Sequence, residues 1–384
     1  MAGVMMLDLS AAFDLVDHGI LLQKLEIMGF SADTISWFSS YLGDRSQCVY
    51  VDGQLSNFNP VHVGVPQGSV LGALLYILYV NDLPSVVENS DSGPHHDTYW
   101  KTLCCYVDDS TCTCVDEDPK ILTEKLTSNY SILSGYFRDN RLVINDGKTH
   151  LIVMGTRRHA HLREQVYVDT GTIIVRPVDS EKLLGLNLHQ SLKWKYHLIS
   201  SDNSLIKCLT KRLGALKFAS RNASFKTRLL LANACFMSVA TYMISLWGGS
   251  EKYLVKAMQV IQNKAARYVT NVPWYTPTRL LLKQCGWLSM KQLIFFHTAV
   301  QVWKSLASGT PVSIHNRLVF TSTRSRVERT LLIPVVETGL AKNSFSVRAA
   351  TNWNKIPPDI RNVDTIGRFK SKLKAWIQTT IDID

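Results

Sequence analysis

At 384 residues, 46% of them hydrophobic and 19% charged, the chain has ordinary globular composition, with no low-complexity tract or internal repeat and room for two or three domains. The formal net charge of +11 hides a split: residues 1–150 carry 8 Lys and Arg against 19 Asp and Glu, whereas residues 151–384 carry 34 against 12. The acidic part is a place to gather cations, and the basic part has the charge of a surface that tracks phosphates.

Eight cysteines without a CxxC pair, behind an N-terminus (MAGVMMLDLS) that lacks a basic, long-apolar leader, fit a reduced intracellular protein rather than a disulfide scaffold. Val4 to Leu9 reads as a buried strand interrupted by one acid, Asp8. Helical spacing at Leu21, Leu22, Leu25 and Met28 stops at Gly29, and a second short helix is expected around Ala32 to Tyr41. Asp52-Gly53 marks a hairpin turn. Gly64 to Pro84 reads as a glycine-rich loop feeding an apolar helix that ends before Pro84.

LCCYVDDSTC, residues 103–112, places Asp108 and Asp109 at a hairpin tip between two apolar strands. The surrounding Cys104, Cys105, Cys112 and Cys114 are expected to be small buried hydrophobes. Ile121 to Phe137 is helical by spacing, followed by LVIN, an Asp146-Gly147-Lys148 turn and LIVM. Beyond Gly185 the character turns to basic amphipathic helix, with Leu205, Leu209, Leu213 and Leu216 on one face. Leu229 to Trp247 is long and uncharged, but its Asn, Ser and Thr residues favour a buried helix over a membrane span. Further helices are expected to about Ser308, then an irregular stretch near Thr321 to Thr330 and a closing amphipathic helix, FKSKLKAWI.

The chemistry rests on the carboxylates. Side chains alternate along a strand, so Asp108 and Asp109 can share one site only at a turn. If the strand ending at Asp8 lies beside them, three like charges converge, and two of them about 4 Å apart repel by ~4 kcal/mol at an effective dielectric of 20. Protonation of one group or a divalent cation relieves that repulsion. Carboxylate donors select a hard ion, Mg²⁺ or Mn²⁺, and a pair of such ions is the device of phosphoryl transfer.

The order LDLSAAFDLVDH, GVPQGSVLG, YVDD, a lysine after a DG turn, and EKLLGLNL resembles the palm of reverse transcriptases of non-LTR (LINE-type, jockey-like) retrotransposons. The later phrases SLWGG, IQNKAARYV and WNKIPPDIR are similar to the tail of such elements. The resemblance implies an α+β fold: a palm (antiparallel sheet with helices on one face) over residues 1–189, a helical thumb over 190–250, and a mainly helical basic C-terminal region over 251–384. It implies an RNA-directed DNA polymerase with RNA template, DNA primer and deoxynucleoside triphosphates as partners, working in nucleus and cytoplasm. Asp8, Asp108 and Asp109 would hold two Mg²⁺ ions, and Lys148 would protonate the leaving pyrophosphate. Backbone groups from Leu9 and Ser10 to Phe13 would receive the triphosphate, with Phe13 under the sugar, while Gln67 and Gly68 would line the nascent base pair. The block from Glu181 to Leu188 would grip the primer end, and Lys207, Lys211, Arg212, Lys217 and Arg221 would hold nucleic acid.

The sequence departs from the family's pattern in three ways, of which the missing fingers are expected to bear on activity and the two substitutions to be tolerated. The sequence begins seven residues before Asp8, so the preceding fingers and the endonuclease domain of the family are expected to be lacking; Ala73 stands where proline is usual, and His189 where an aspartate is common. A catalytically defective nucleic-acid-binding remnant, or a fragment that does not fold alone, is therefore carried beside the polymerase reading.

Overall fold

The structure, a computed structural model, describes residues 1–89, 101–155, 157–321 and 329–380. It has two compact units, Met1–Leu184 with Leu188–Leu192, and Gly185–Asn187 with the chain from Lys193 onward.

The first unit is built on four antiparallel strands, β1 (Ala2–Leu7), β2 (Lys101–Tyr106), β3 (Asp109–Val115) and β4 (His150–Met154), in the order β4-β1-β3-β2. Met5 pairs with Leu151 on one side and Cys112 on the other. The central position of β1 explains its unbroken apolar run. Met5 and Leu7 enter the main core, while Val4 and Met6 join Ile152 and Met154 under Val178, Leu183 and Leu188 on the opposite face.

Helices α1 (His18–Ile27), α2 (Ala32–Leu42), α3 (Gly72–Tyr79) and α4 (Pro119–Asp139) supply the rest of the main core. Asp118 caps α4 by accepting from the Lys120 N–H, Pro119 occupies the first turn, and Leu122, Leu126, Leu133 and Phe137 are fully buried. The Asp52-Gly53 turn forms as expected, both residues at positive φ between paired strands Tyr50–Val51 and Gln54–Leu55. The apolar helix expected to end before Pro84 does so, α3 stopping at Tyr79, and a separate helix, Leu83–Asn89, then starts with Pro84 in its first turn.

The cysteine expectation is half right. Cys112 and Cys114 are buried against α4, but Cys104 and Cys105 are exposed because β2 is an edge strand of the sheet. Apolar composition reports strand formation without reporting edge position.

The second unit is mainly helical: α5 (Leu205–Ala219), α6 (Phe225–Ala232), α7 (Lys252–Thr270), α8 (Thr278–Cys285), α9 (Met290–Ser308), α10 (Phe345–Lys355) and α11 (Ile366–Thr380). Leu205, Leu209, Leu213 and Leu216 pack with Phe236, Trp247, Leu254 and Met258. A further core joins Trp303, Trp353, Phe369, Leu373 and Ile377, the last three spaced four apart on α11. Leu229 to Trp247 is not one helix. It passes from α6 through a π-turn at Asn233–Met237 to a left-handed Met243 (φ +50) before a last turn at Ile244–Trp247. Ser238 and Thr241 hydroxyls donate to carbonyls four residues back, a competing bond that bends helices. No helix among the described residues is long and apolar enough to cross a membrane. Of the stretch expected to be irregular, residues 322–328 lie outside the described residues.

Candidate active site

The carboxylates meet at one end of the sheet. Leu7 of β1 pairs with Ser110 of β3, so Asp8 follows directly beside the turn that carries Asp108 and Asp109. Tyr106 and Asp109 close that turn, leaving Val107 and Asp108 as its two residues. Val107 stands at φ +58, a left-handed conformation that a β-branched residue adopts only at a cost. Asp108 is half-buried and Asp109 exposed. Burial, then the charges of Asp108 and Asp8, push the Asp109 carboxyl above its ordinary value. Asp109 therefore feels both of the other acids.

Lys148 reaches the same place by a separate route. The Asp8 carbonyl accepts from the Asn145 N–H at 2.8 Å, and Leu9–Ser10 pair with Val143–Ile144, so the 143–148 segment runs alongside the end of β1. A turn at Asp146–Lys148 then brings Lys148 Nζ to 3.4 Å from Asp8 Oδ2.

Beyond Ser10 the backbone turns sharply. Ala11 is at φ +49, its carbonyl accepts from the Asp14 and Leu15 N–H groups, and the N–H groups of Ala11, Ala12 and Phe13 have no hydrogen-bond partner among the described residues. Successive unbonded N–H groups of this kind form a concavity suited to an anion. Phe13 is half-buried, its ring 4.9 Å from that of Tyr76 on α3. Burial, then the charge of Asp108, hold the Tyr76 hydroxyl protonated well above its ordinary range. Tyr76 thus links Phe13 to the acidic turn, a role that sequence reading missed; helical spacing from Gly72 would have put it on the buried face.

The GVPQGS loop is tied to this turn rather than to the acids. Val65 N–H donates to the Phe13 carbonyl and Gly64 N–H to that of Val16, both at 2.8 Å, and Gln67 Nε2 donates to Asp14 Oδ1 at 2.8 Å. Gly64 is at φ +90, and a Cβ there would stand 2.8 Å from the Asp14 carbonyl oxygen, so only glycine fits. Gly68, at φ +77, is exposed with open space around it. The Ser69 hydroxyl accepts from the Gly72 N–H at 2.9 Å and donates to the Pro66 carbonyl at 2.7 Å, tying the loop to the first residue of α3.

Glu181 to Leu188 forms a hairpin whose turn is Leu184 and Gly185, both at positive φ. The five basic residues singled out on and after α5 are all exposed. Lys207 pairs with Asp202 at 3.3 Å and Arg212 donates to the Cys235 carbonyl, whereas Lys217 and Arg221 line a cleft.

Three carboxylates are the donor chemistry of a hard divalent cation. The side chains do not close around a single point: among the described residues no three His, Cys, Asp or Glu form a metal-holding group, and Asp8 takes Lys148 as its counter-ion.

Residues 2–196 match the family model described as "Reverse transcriptase (RNA-dependent DNA polymerase)". The chain is 27% identical over 297 residues to a probable RNA-directed DNA polymerase from transposon BS of Drosophila melanogaster, a match covering 76% of this chain and 32% of that protein. It is also 27% identical over 282 residues to the RNA-directed DNA polymerase from mobile element jockey of Drosophila funebris, covering 72% and 29%. The chain thus spans about a third of the length of these curated relatives. Among solved structures, apo telomerase from Candida tropicalis aligns at 14% identity and a TM-score of 0.40, over 82% of this chain and 52% of that one.

Proposed function

The chain belongs to the reverse transcriptase (RNA-dependent DNA polymerase) family, and we propose that it is the RNA-directed DNA polymerase portion of a jockey-like mobile element, joining deoxynucleotides to a DNA primer on an RNA template in nucleus or cytoplasm. In this reading residues 1–189 act as palm and 190–250 as thumb, with 251–384 as a basic C-terminal region. The observation that carries it is the position of Asp8, Asp108 and Asp109 at one end of the sheet, with Lys148 Nζ 3.4 Å from Asp8, inside the family-matched segment.

Two Mg²⁺ ions, when bound by Asp8, Asp108 and Asp109, supply activation of the primer 3′-hydroxyl and charge neutralisation at the α-phosphate. The chain's own residues do the rest. The N–H groups of Ala11 to Phe13, following Leu9 and Ser10, receive triphosphate oxygens; Phe13, braced by Tyr76, bounds the sugar; Gln67 and Gly68 border the base pair. As the primer 3′-hydroxyl gives up its proton to solvent and its oxygen bonds to the α-phosphorus, the bond to pyrophosphate breaks and Lys148 donates a proton to the leaving oxygen. Lys207, Lys211, Arg212, Lys217 and Arg221 hold the nucleic acid.

The test is Mg²⁺-dependent primer extension on an RNA template. Asp108→Ala with Asp109→Ala is expected to abolish it; extension that persists in that variant sinks the assignment. The exposed basic residues of the second unit, which can hold phosphates without any chemistry at the acids, favour a second reading, a catalytically defective nucleic-acid-binding chain. That reading expects salt-sensitive binding with no incorporation at any Mg²⁺ concentration.

A further inference from the structure

The second unit contains a cleft of about 370 Å³ lined by five cations, Lys217, Arg221, Arg228, Lys264 and Arg267, from α5, the loop after it, α6 and α7. No Asp or Glu lines it, and the sequence has none between Asp202 and Glu251 or between Glu251 and Glu328. Among the described residues the cations therefore face one another with no carboxylate lining the cleft. Lys217 and Arg267 lie in the last turns of their helices, where a positive charge complements the helix dipole. That accounts for two of the five and leaves Arg221, Arg228 and Lys264 unexplained. Arg228 Nε is moreover buried with no hydrogen-bond partner among the described residues, a cost that an anion would remove.

An aromatic element adjoins this charge. Arg267 Nε donates to the Trp274 carbonyl at 3.2 Å, fixing the loop after α7 beside the cleft. On that loop Trp274 is 80% exposed and Tyr275 71% exposed, their rings 6.0 Å apart and edge to face. A bare tryptophan next to arginines that have no carboxylate beside them in the cleft has the composition of a single-strand platform, where cations track the backbone and rings take the bases. A free polyphosphate would have no use for the rings, and a duplex would offer them no open base face.

We infer that this cleft binds the phosphates of a single nucleic-acid strand, with Trp274 as the ring on which a base of that strand stacks. The inference rests on the nucleic-acid reading above and extends it, since Arg228, Lys264, Arg267 and Trp274 have no part in that reading.

The test uses the full chain and a fluorescein-labelled single-stranded oligothymidine, followed by anisotropy at stepped salt. Lys264→Gln with Arg267→Gln is expected to weaken binding and to flatten the slope of log K against log salt by about 1.4, at ~0.7 per phosphate contact. Trp274→Ala is expected to weaken binding roughly 5- to 100-fold with the slope unchanged, because it removes stacking and no charge. Unchanged affinity and slope in both variants, with thermal transitions like the parent's, overturn the inference. A check that needs no variant is lysine acetylation of the parent protein, read by mass spectrometry: oligothymidine should protect Lys217 and Lys264 relative to exposed Lys252 at the far end of α7. Equal labelling overturns the inference, as does protection by inorganic tripolyphosphate but not by oligothymidine. Binding that survives without these residues leaves the polymerase reading standing. Loss of primer extension in the Asp108/Asp109 variant is independent of both outcomes.

Discussion

Lys148 Nζ lies 3.4 Å from Asp8 Oδ2, and both side chains remain open to solvent, at 67% and 36%. An exposed pair of this kind contributes little to stability, so its position has to be explained by what it can reach. Lys148→Ala is expected to lower kcat for primer extension by about 10²- to 10⁴-fold, the usual worth of a general acid. Affinity for primer and template should be unchanged. Equal kcat in parent and variant, from single-turnover kinetics, would remove Lys148 from the chemistry.

Asp109 predicts a trade between folding and activity. A carboxyl raised on folding contributes stability below its unfolded value and loses it as pH rises through the folded value. Burial and the neighbouring acids raise Asp109, so at neutral pH its charge opposes folding. Asp109→Asn should raise Tm by up to about 3 °C, the interaction being discounted for solvent screening, while extension falls. Thermal melts from pH 4 upward should show a shallower loss of stability in the variant. A lower Tm at neutral pH would contradict this electrostatic account.

Gly64 tests the coupling of the GVPQGS loop to the Phe13 turn. With φ at +90 and the Asp14 backbone 2.8 Å from any added Cβ, Gly64→Ala must shift one segment or the other. The expected cost is roughly 1–3 kcal/mol. KM for deoxynucleotide should rise as Phe13 and the neighbouring N–H groups move. A variant with parental Tm and KM would show that the two segments move independently.

Lys24 of α1 is a structural counterpart to Lys148. Its Nζ donates to Asp82 Oδ1 and the Tyr79 carbonyl, both at 2.7 Å, and to the Tyr136 hydroxyl at 3.2 Å. Burial lowers the Lys24 value against the pull of Asp82. Burial also works to raise Asp82, but bonds from Lys24 and Tyr136 prevail and hold it below its ordinary value. Asp82 therefore stabilises the fold above its unfolded value and loses that contribution as pH falls through the folded one. A double-mutant cycle of Lys24→Met and Asp82→Asn should give a coupling of roughly 0.5–1 kcal/mol at neutral pH, vanishing in acid. Additive losses would mean that the pair is incidental.

Legibility followed the range of the forces involved. The alternation between β1, the YVDD hairpin, α4 and β4 was readable because each element carries its own apolar period and Asp or Gly punctuation. Asp108 and Asp109 stood out as adjacent charges within an apolar run. Tyr76 was hidden, because its link to Phe13 and Asp108 exists only after α3 has packed. The cleft cations on α6 and α7 were hidden too, since charges on separate helices read singly as solvated faces. The break at Met243 was masked by a run without proline or charge, in which hydroxyl-to-carbonyl bonds decide the geometry.

The YVDD turn holds its first residue, Val107, at φ +58, at a cost of about 1–3 kcal/mol that glycine would avoid. Glycine would also open many backbone directions to the residue that follows. A stiff branched side chain admits few, and so fixes where Asp108 points before anything binds. At this turn the chain retains the aim of one carboxylate at the expense of a deeper free-energy minimum.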